Sequence, residues 1–255
     1  MRILENFVIL LKAQRGLEES DSYEKLLNSH GYVVKQVNTL VFEFHDLSEL
    51  KEKLESSKKY SGLLLSSPRC VEAVYFALNK NKLESSWHGK HNYAVGEATH
   101  LVALKKLGIN CRGKESGNAK NLSSIVAKEN IGTDKPFLFP HGNLKTDTLK
   151  IELSKSNISI EGVLVYDTLS NPNIEEEFAD VTEKFTLFPE YIIFFSPSGV
   201  RSSVEILRKS PGCLNKMKCI AIGPVTETSM KEENFNIYGV AASPNPEEVL
   251  NIIKR

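Results

Sequence analysis

The feature that most constrains this chain is that it resembles itself. Leu63-Leu-Leu-Ser-Ser-Pro68 and Ile193-Phe-Phe-Ser-Pro197 are each an apolar run that breaks into Ser-Pro, 129 positions apart at Ser67 and Ser196. Val95-Gly-Glu-Ala-Thr99 returns as Ile222-Gly-Pro-Val-Thr226, and Ser116-Gly-Asn118 returns as Ser243-Pro-Asn245, both 127 positions on. The early part follows suit, because Phe7-Val-Ile-Leu10 with Tyr32-Val-Val34 parallels Phe137-Leu-Phe-Pro140 with Ile158-Ser-Ile160. Two copies of about this length fill the 255 residues. Common α/β periodicity explains the spacing but not the repeated Gly-x-x-Thr, so the chain reads as a duplicated half.

Within each half, short β-branched or aromatic runs alternate with helix-period segments. Strands are expected at 7–11, 32–37, 62–65, 92–95, 137–139, 158–166, 191–195, 218–222 and 237–240. Helix-period segments between them include 68–78, 98–107, 122–128, 202–208, 226–232 and 246–253. Strands about 30 residues apart with a helix between them are βαβ crossovers, which build parallel sheets flanked by helices. The fold class is therefore α/β, with two similar lobes. The pattern alone allows either side-by-side repeats or interleaved ones.

The remaining inventory mostly excludes. With 32 basic and 32 acidic residues and 41% hydrophobic composition, the chain is globular and lacks a basic tail for coating nucleic acid. No apolar run approaches the ~20 residues of a membrane span. The opening stretch carries Glu5 ahead of a short apolar run and reads as a first strand rather than a secretion signal. Cys70, Cys111, Cys213 and Cys219 form no C-x-x-C pair, and the six histidines show no metal-ligand spacing, so structural thiols and no metal site are expected. Nor is there a G-x-G-x-x-G or a P-loop. The acidic runs Glu175-Glu-Glu177 and Glu232-Glu233 read as exposed helix charges.

What the repeat does offer is a set of small polar residues at strand-to-helix junctions. In a parallel sheet these junctions lie at the carboxyl edge, where open α/β domains bind ligands. First-turn N–H groups and the positive end of the helix dipole favour a carboxylate or phosphate there. Ser66, Ser67, Gly96, Thr99, Gly117, Asn118, Ser196, Ser198, Gly199, Val225 and Thr226 all fall at such junctions. Taken singly, Ser67, Thr99, Ser196 and Thr226 read equally as helix caps. Arg69, Lys145 and Lys218 adjoin these motifs and are candidates for pairing with ligand carboxylates, or else ordinary surface charges.

At these motifs the sequence resembles the uroporphyrinogen-III synthase family, in the manner of its eukaryotic branch. The resemblance is carried by Phe194-Phe-Ser-Pro-Ser-Gly199, Ala221-Ile-Gly-Pro224, Ser67-Pro-Arg69 with Val71-Glu-Ala73, and Val95-Gly96 with Ala98-Thr99. Leu138-Phe-Pro140 with Gly142-Asn-Leu-Lys145, Val165-Tyr166 and Val41-Phe-Glu-Phe44 complete it, in family order.

The resemblance implies two α/β lobes joined by a two-stranded β linker. Lobe 1 would comprise residues 1–36 with 171–255, lobe 2 residues 44–163, and the linker strands 37–43 and 164–170. It implies cyclisation of hydroxymethylbilane, a linear octacarboxylate tetrapyrrole, to uroporphyrinogen III, with loss of water and inversion of ring D. No metal or organic cofactor takes part, and a cytoplasmic monomer is expected, an organelle remaining open, with substrate transferred from hydroxymethylbilane synthase. Tyr166 matches the family's cleft tyrosine and would help the departing hydroxyl; the junction residues and Arg69, Lys145 and Lys218 would bind substrate. One departure is that the family's Gly-Pro-Thr-Thr is Gly223-Pro-Val-Thr226 here, so Val225 offers only its backbone N–H. His141 stands where other members carry a cysteine, and no catalytic role attaches to it.

Two other classes stay open on the sequence: a non-catalytic two-lobed binder of a carboxylated small molecule, and a regulatory module on the same fold. The neutral total hides a polarity. Residues 44–163 hold 18 Lys+Arg and 13 Asp+Glu, a net of +5 that the two ends balance.

Overall fold

The structure, a computed structural model, describes residues 2–16, 21–129, 134–144, 147–209 and 215–255. The chain divides into two compact units, Met1–Val41 with Leu169–Arg255, and Phe42–Thr168.

In the first unit, strands β1 (Arg2–Ala13), β2 (Val33–Phe44), β7 (Leu187–Phe194), β8 (Lys218–Ala221) and β9 (Ile237–Val240) lie in the order β2-β1-β7-β8-β9, all parallel. Period-two alternation sorts their side chains into two cores. Phe7, Ile9 and Leu11 of β1, with Ile192 and Phe194 of β7, pack against helices α7 (Ile174–Val181) and α8 (Pro197–Arg208). Val8, Leu10, Tyr191 and Ile193 pack on the other face with α1 (Ser22–Ser29) and α10 (Pro246–Ile253). Burial on both faces explains why 7–11 reads as an unbroken apolar run. Helix α9 (Pro224–Glu232) follows β8.

The middle unit is built alike. Strands β3 (Leu64–Leu65) and β4 (Tyr93–Ala94) pair in parallel, β5 (Phe137–Gly142) pairs with β6 (Ile160–Ser170), and a parallel bridge from Leu63 to Leu138 joins the pairs. A bridge from Tyr93 to Arg112 extends the edge. Leu63, Leu65, Leu138, Val163 and Val165 face a core shared with α2 (Ser48–Glu55), α3 (Pro68–Ala77) and α4 (Gly96–Leu107). Leu64, Tyr93, Phe137 and Phe139 face one shared with α5 (Ala119–Lys128) and α6 (Asp147–Ser154). Trp87, fully buried, donates its indole N–H to the Leu54 carbonyl at 2.9 Å.

The two units thus share one strand order, and each takes its pieces from both repeats. The opening βαβ of the first repeat (β1, α1, β2) pairs with the Ser-Pro and Gly-x-x-Thr strands of the second (β7, β8). Reciprocally, β5, α6 and β6 of the second repeat join β3 and β4 of the first. The chain passes from one unit to the other along β2 and β6. Asn171 N–H donates to the Thr39 carbonyl at 3.2 Å in the first unit, and His45 N–H to the Val165 carbonyl at 3.0 Å in the second.

Glu177 corrects its reading as an exposed charge. Its carboxylate accepts from the Asn38 backbone N–H at 2.7 Å and from the Asn171 side chain at 2.9 Å, so helix α7 is tied to β2 and to the residue that follows β6. Glu175 does pair on the surface, with Lys209 at 2.5 Å. Cys70, Cys111 and Cys219 are free and buried; burial pushes the Cys111 and Cys219 thiols up to about 12, far from ready thiolates. Cys213 lies outside the described residues. Among the described residues no helix is long and apolar enough to cross a membrane.

Candidate active site

In the middle unit, Ser67 stands between β3 and α3, and its extended backbone (φ −160°, ψ 161°) is that of an N-cap. Its Oγ accepts the Cys70 N–H at 3.3 Å, and Pro68 takes the first helical position, where a missing N–H costs nothing. Ser66 Oγ lies 3.4 Å from the Cys70 sulfur. The same Ser67 Oγ stands 3.3 Å from the hydroxyl of Tyr166 on β6, and either oxygen can donate.

Four groups hold that tyrosine. Phe42 and Phe44 meet its ring edge-on, at centroid distances of 5.9 and 6.2 Å. Ser67 meets the hydroxyl, and Gly142 lies under the ring. Burial, with the Cys70 thiol adding to it, keeps the Tyr166 phenol protonated above its ordinary 10.0; Ser67 and Arg69 pull the other way without reversing the shift. The result is a proton-bearing donor at the N-terminal end of a helix.

Arg69 is already engaged. Its guanidinium meets the Glu72 carboxylate at 2.7 Å, with Glu72 only 2% exposed, and lies 4.3 Å from the Phe42 ring centre. In this position it braces the aromatic wall beside Tyr166.

At the next junction Gly96 adopts φ +78°, a left-handed conformation that favours glycine. Its N–H donates to Ser116 Oγ at 3.3 Å. Asn118 caps α5 by accepting the Asn121 N–H at 2.9 Å, and Gly117 and Asn118 are exposed. Lys145 lies outside the described residues.

The first unit repeats the design. Ser196 caps α8, accepting the Gly199 N–H at 3.1 Å, with Ser198 Oγ 2.9 Å away. At the β8–α9 junction Pro224 and Val225 are exposed, Val225 by 73%, and Thr226 is buried.

These facts divide the four hydroxyls that read as caps. Ser67 and Ser196 are caps. Thr99 and Thr226 are not: Val95 and Gly223 occupy the cap positions with no side-chain cap bond, and the threonines sit within the first turn at 2% and 3% exposure.

Lys218 needs a correction. It opens β8, at the amino end of a strand whose carboxyl end carries the junction, and its Nζ is bound to Glu190 at 2.9 Å and the Tyr191 hydroxyl at 3.1 Å. Those partners raise its pKa and keep it charged, but away from the junction edge. Among the described residues no three His, Cys, Asp or Glu side chains gather as a metal ligand set. The sequence by itself gives Phe42, Phe44, Glu72 and Cys70 no place at the site; tertiary contacts bring them around Tyr166, Arg69 and Ser67. The aromatic pair at i and i+2 within Val41-Phe-Glu-Phe44 was the available signal.

A family model described as uroporphyrinogen-III synthase HemD matches residues 21–251, nearly the whole chain. The chain belongs to this family.

The uroporphyrinogen-III synthase family consists of enzymes of haem biosynthesis, which does not favour a non-catalytic binder or regulator. The fold agrees. The uroporphyrinogen-III synthetase of Helicobacter pylori is 15% identical, covers 97% of both chains and superimposes with a TM-score of 0.59. A mutant uroporphyrinogen III synthase of the extremely thermophilic bacterium Thermus thermophilus, also 15% identical, covers 97% of this chain and 98% of its own with a TM-score of 0.55. At that identity it is the architecture that is shared, and the site must be argued from this chain's own residues.

Proposed function

We propose that this chain closes hydroxymethylbilane to uroporphyrinogen III, releasing water and inverting ring D, and so acts as a cyclising hydro-lyase. The observation that carries this reading is the Tyr166 hydroxyl, kept protonated and held 3.3 Å from the cap of α3.

The terminal C–O bond of the bilane breaks as electrons move in from the attached pyrrole. The leaving oxygen takes up one proton and departs as water, and the pyrrole gives up its N–H proton, so that the two transfers balance. A neutral phenol assists by hydrogen-bonding to the departing oxygen. Ring closure without guidance gives the uninverted isomer. The protein therefore has to hold one conformer through the spiro intermediate, which is orientation work. Ser66, Ser67, Gly96, Thr99, Gly117, Asn118 and Lys145 in the middle unit are proposed to bind substrate. So are, in the first, Ser196 and Ser198 through their hydroxyls, Gly199 as the backbone of the same first turn, and Val225 and Thr226 through first-turn N–H groups, as donors to its carboxylates. Buried Thr99 and Thr226 offer no hydroxyl. Arg69 contributes positive potential and holds Phe42. A cytoplasmic monomer receiving bilane from hydroxymethylbilane synthase, without metal or organic cofactor, completes the proposal.

The test is to give the protein freshly made hydroxymethylbilane, oxidise the products and separate the isomers. Type III should dominate, against type I in the buffer blank. A type I product in both samples overturns the reading.

A further inference from the structure

Strands β5 and β6 pair in register until His141 faces Leu164, and then slip by one residue so that Gly142 faces Tyr166. Such a bulge re-aims the side chains at a strand's end. The first unit has the same slip at the equivalent place, where Lys12 faces Asn38 and Ala13 then faces Leu40. The duplicated position thus carries alanine opposite leucine and glycine opposite tyrosine.

The reason for the glycine is steric. A Cβ on Gly142 would lie 2.5 Å from Tyr166 Cζ, 2.6 Å from Cε2 and 2.9 Å from the hydroxyl oxygen, all closer than real contacts. The ring cannot simply give way, because Phe42, Phe44 and Ser67 meet it from other sides.

We propose that Gly142 is a positioning residue for the reaction: its bare Cα lets the Tyr166 ring settle onto β5, and this sets where the hydroxyl stands. The inference rests on the reading of Tyr166 given above. Gly142 touches no substrate in this account; it acts through the tyrosine. A displacement of the order of an ångström at a reacting group costs up to about a hundredfold in rate.

The experiment compares wild type, Gly142→Ala, Tyr166→Phe and the double variant, with tyrosine labelled at Cζ for NMR. The Tyr166 resonance is assigned by its loss in Tyr166→Phe. In Gly142→Ala that resonance should move and titrate at lower pH than in wild type, while the other seven of the eight tyrosines stay in place. kcat for type III formation should fall tenfold or more with KM within twofold, and Gly142→Ala should add no further loss to Tyr166→Phe. An unmoved Tyr166 resonance, or the same fold-loss in both backgrounds, overturns the positioning role. If Gly142→Ala fails to fold, Phe44→Leu loosens another of the contacts that hold the ring and is read by the same signals, an unmoved resonance and full kcat again overturning the proposal. Wild-type turnover in Tyr166→Phe would sink the reading of the tyrosine itself. Absence of type III from the wild type would sink the proposed function, so the failures are distinct.

Discussion

At the scale of single residues, Tyr166 is the side chain whose surroundings say most about chemistry. Replacing it with phenylalanine keeps the aromatic contacts to Phe42 and Phe44 and removes only the hydroxyl. Tyr166→Phe should therefore lower type III formation by about a hundredfold or more while leaving the urea midpoint close to wild type. Full turnover in that variant would remove the catalytic role. The pH dependence has a definite sign. Burial raises the phenol above 10.0, and the protonated form is the donor, so Tyr166 contributes no falling limb of kcat through neutrality. Its loss should come only at higher pH, and a Tyr166-dependent limb centred below about 9 would contradict the assignment.

At the scale of elements, the junctions show how much was local. Ser67-Pro68, Ser196-Pro197, Asn118 and Asn245 all cap the helices that follow them, because a short polar side chain reaching the N–H three residues on is a local event. The same reasoning failed for Thr99 and Thr226, where glycine-containing turns place the cap earlier and turn the threonines inward. It failed also for Glu177, whose partners are Asn38 on β2 and Asn171 in the turn between β6 and α7. Glu177→Ala should cost about 1–3 kcal/mol in urea unfolding, since its removal takes the acceptor from the Asn38 N–H and one of two acceptors from the Asn171 amide. A change below about 0.5 kcal/mol would return Glu177 to the solvated surface.

At the scale of the whole molecule, the duplicated halves do not fold as two consecutive blocks. Phe42–Thr168 is one continuous segment, whereas the other unit is assembled from both chain ends. The middle unit has two cores of its own, which supports independent stability. A fragment spanning 42–168 should melt cooperatively by circular dichroism, and a featureless melt would show that it depends on the rest of the chain. The unit boundary also trims the charge asymmetry. Glu43 and Asp167 fall within Phe42–Thr168, which then holds 18 basic and 15 acidic residues, a net of +3 against −3 for the remainder. The sign survives and the size does not.

The amino-acid sequence by itself determined the α/β class, where the strand centres fall and the Ser67, Ser196, Asn118 and Asn245 caps, because each rests on spacing within a few residues: alternation, helical period, or a side chain within reach of its own helix. The repeat was legible as the same local motifs returning in order. Tertiary structure decided what the spacing left open, namely which half of one repeat pairs with which half of the other. It alone placed Lys218 at the amino end of its strand, and brought Gly142 beneath Tyr166. Those outcomes depend on strand register and crossover, which bring together residues far apart in the chain and leave no local mark. Even the glycine that makes room for the tyrosine becomes intelligible only once β5 and β6 lie side by side.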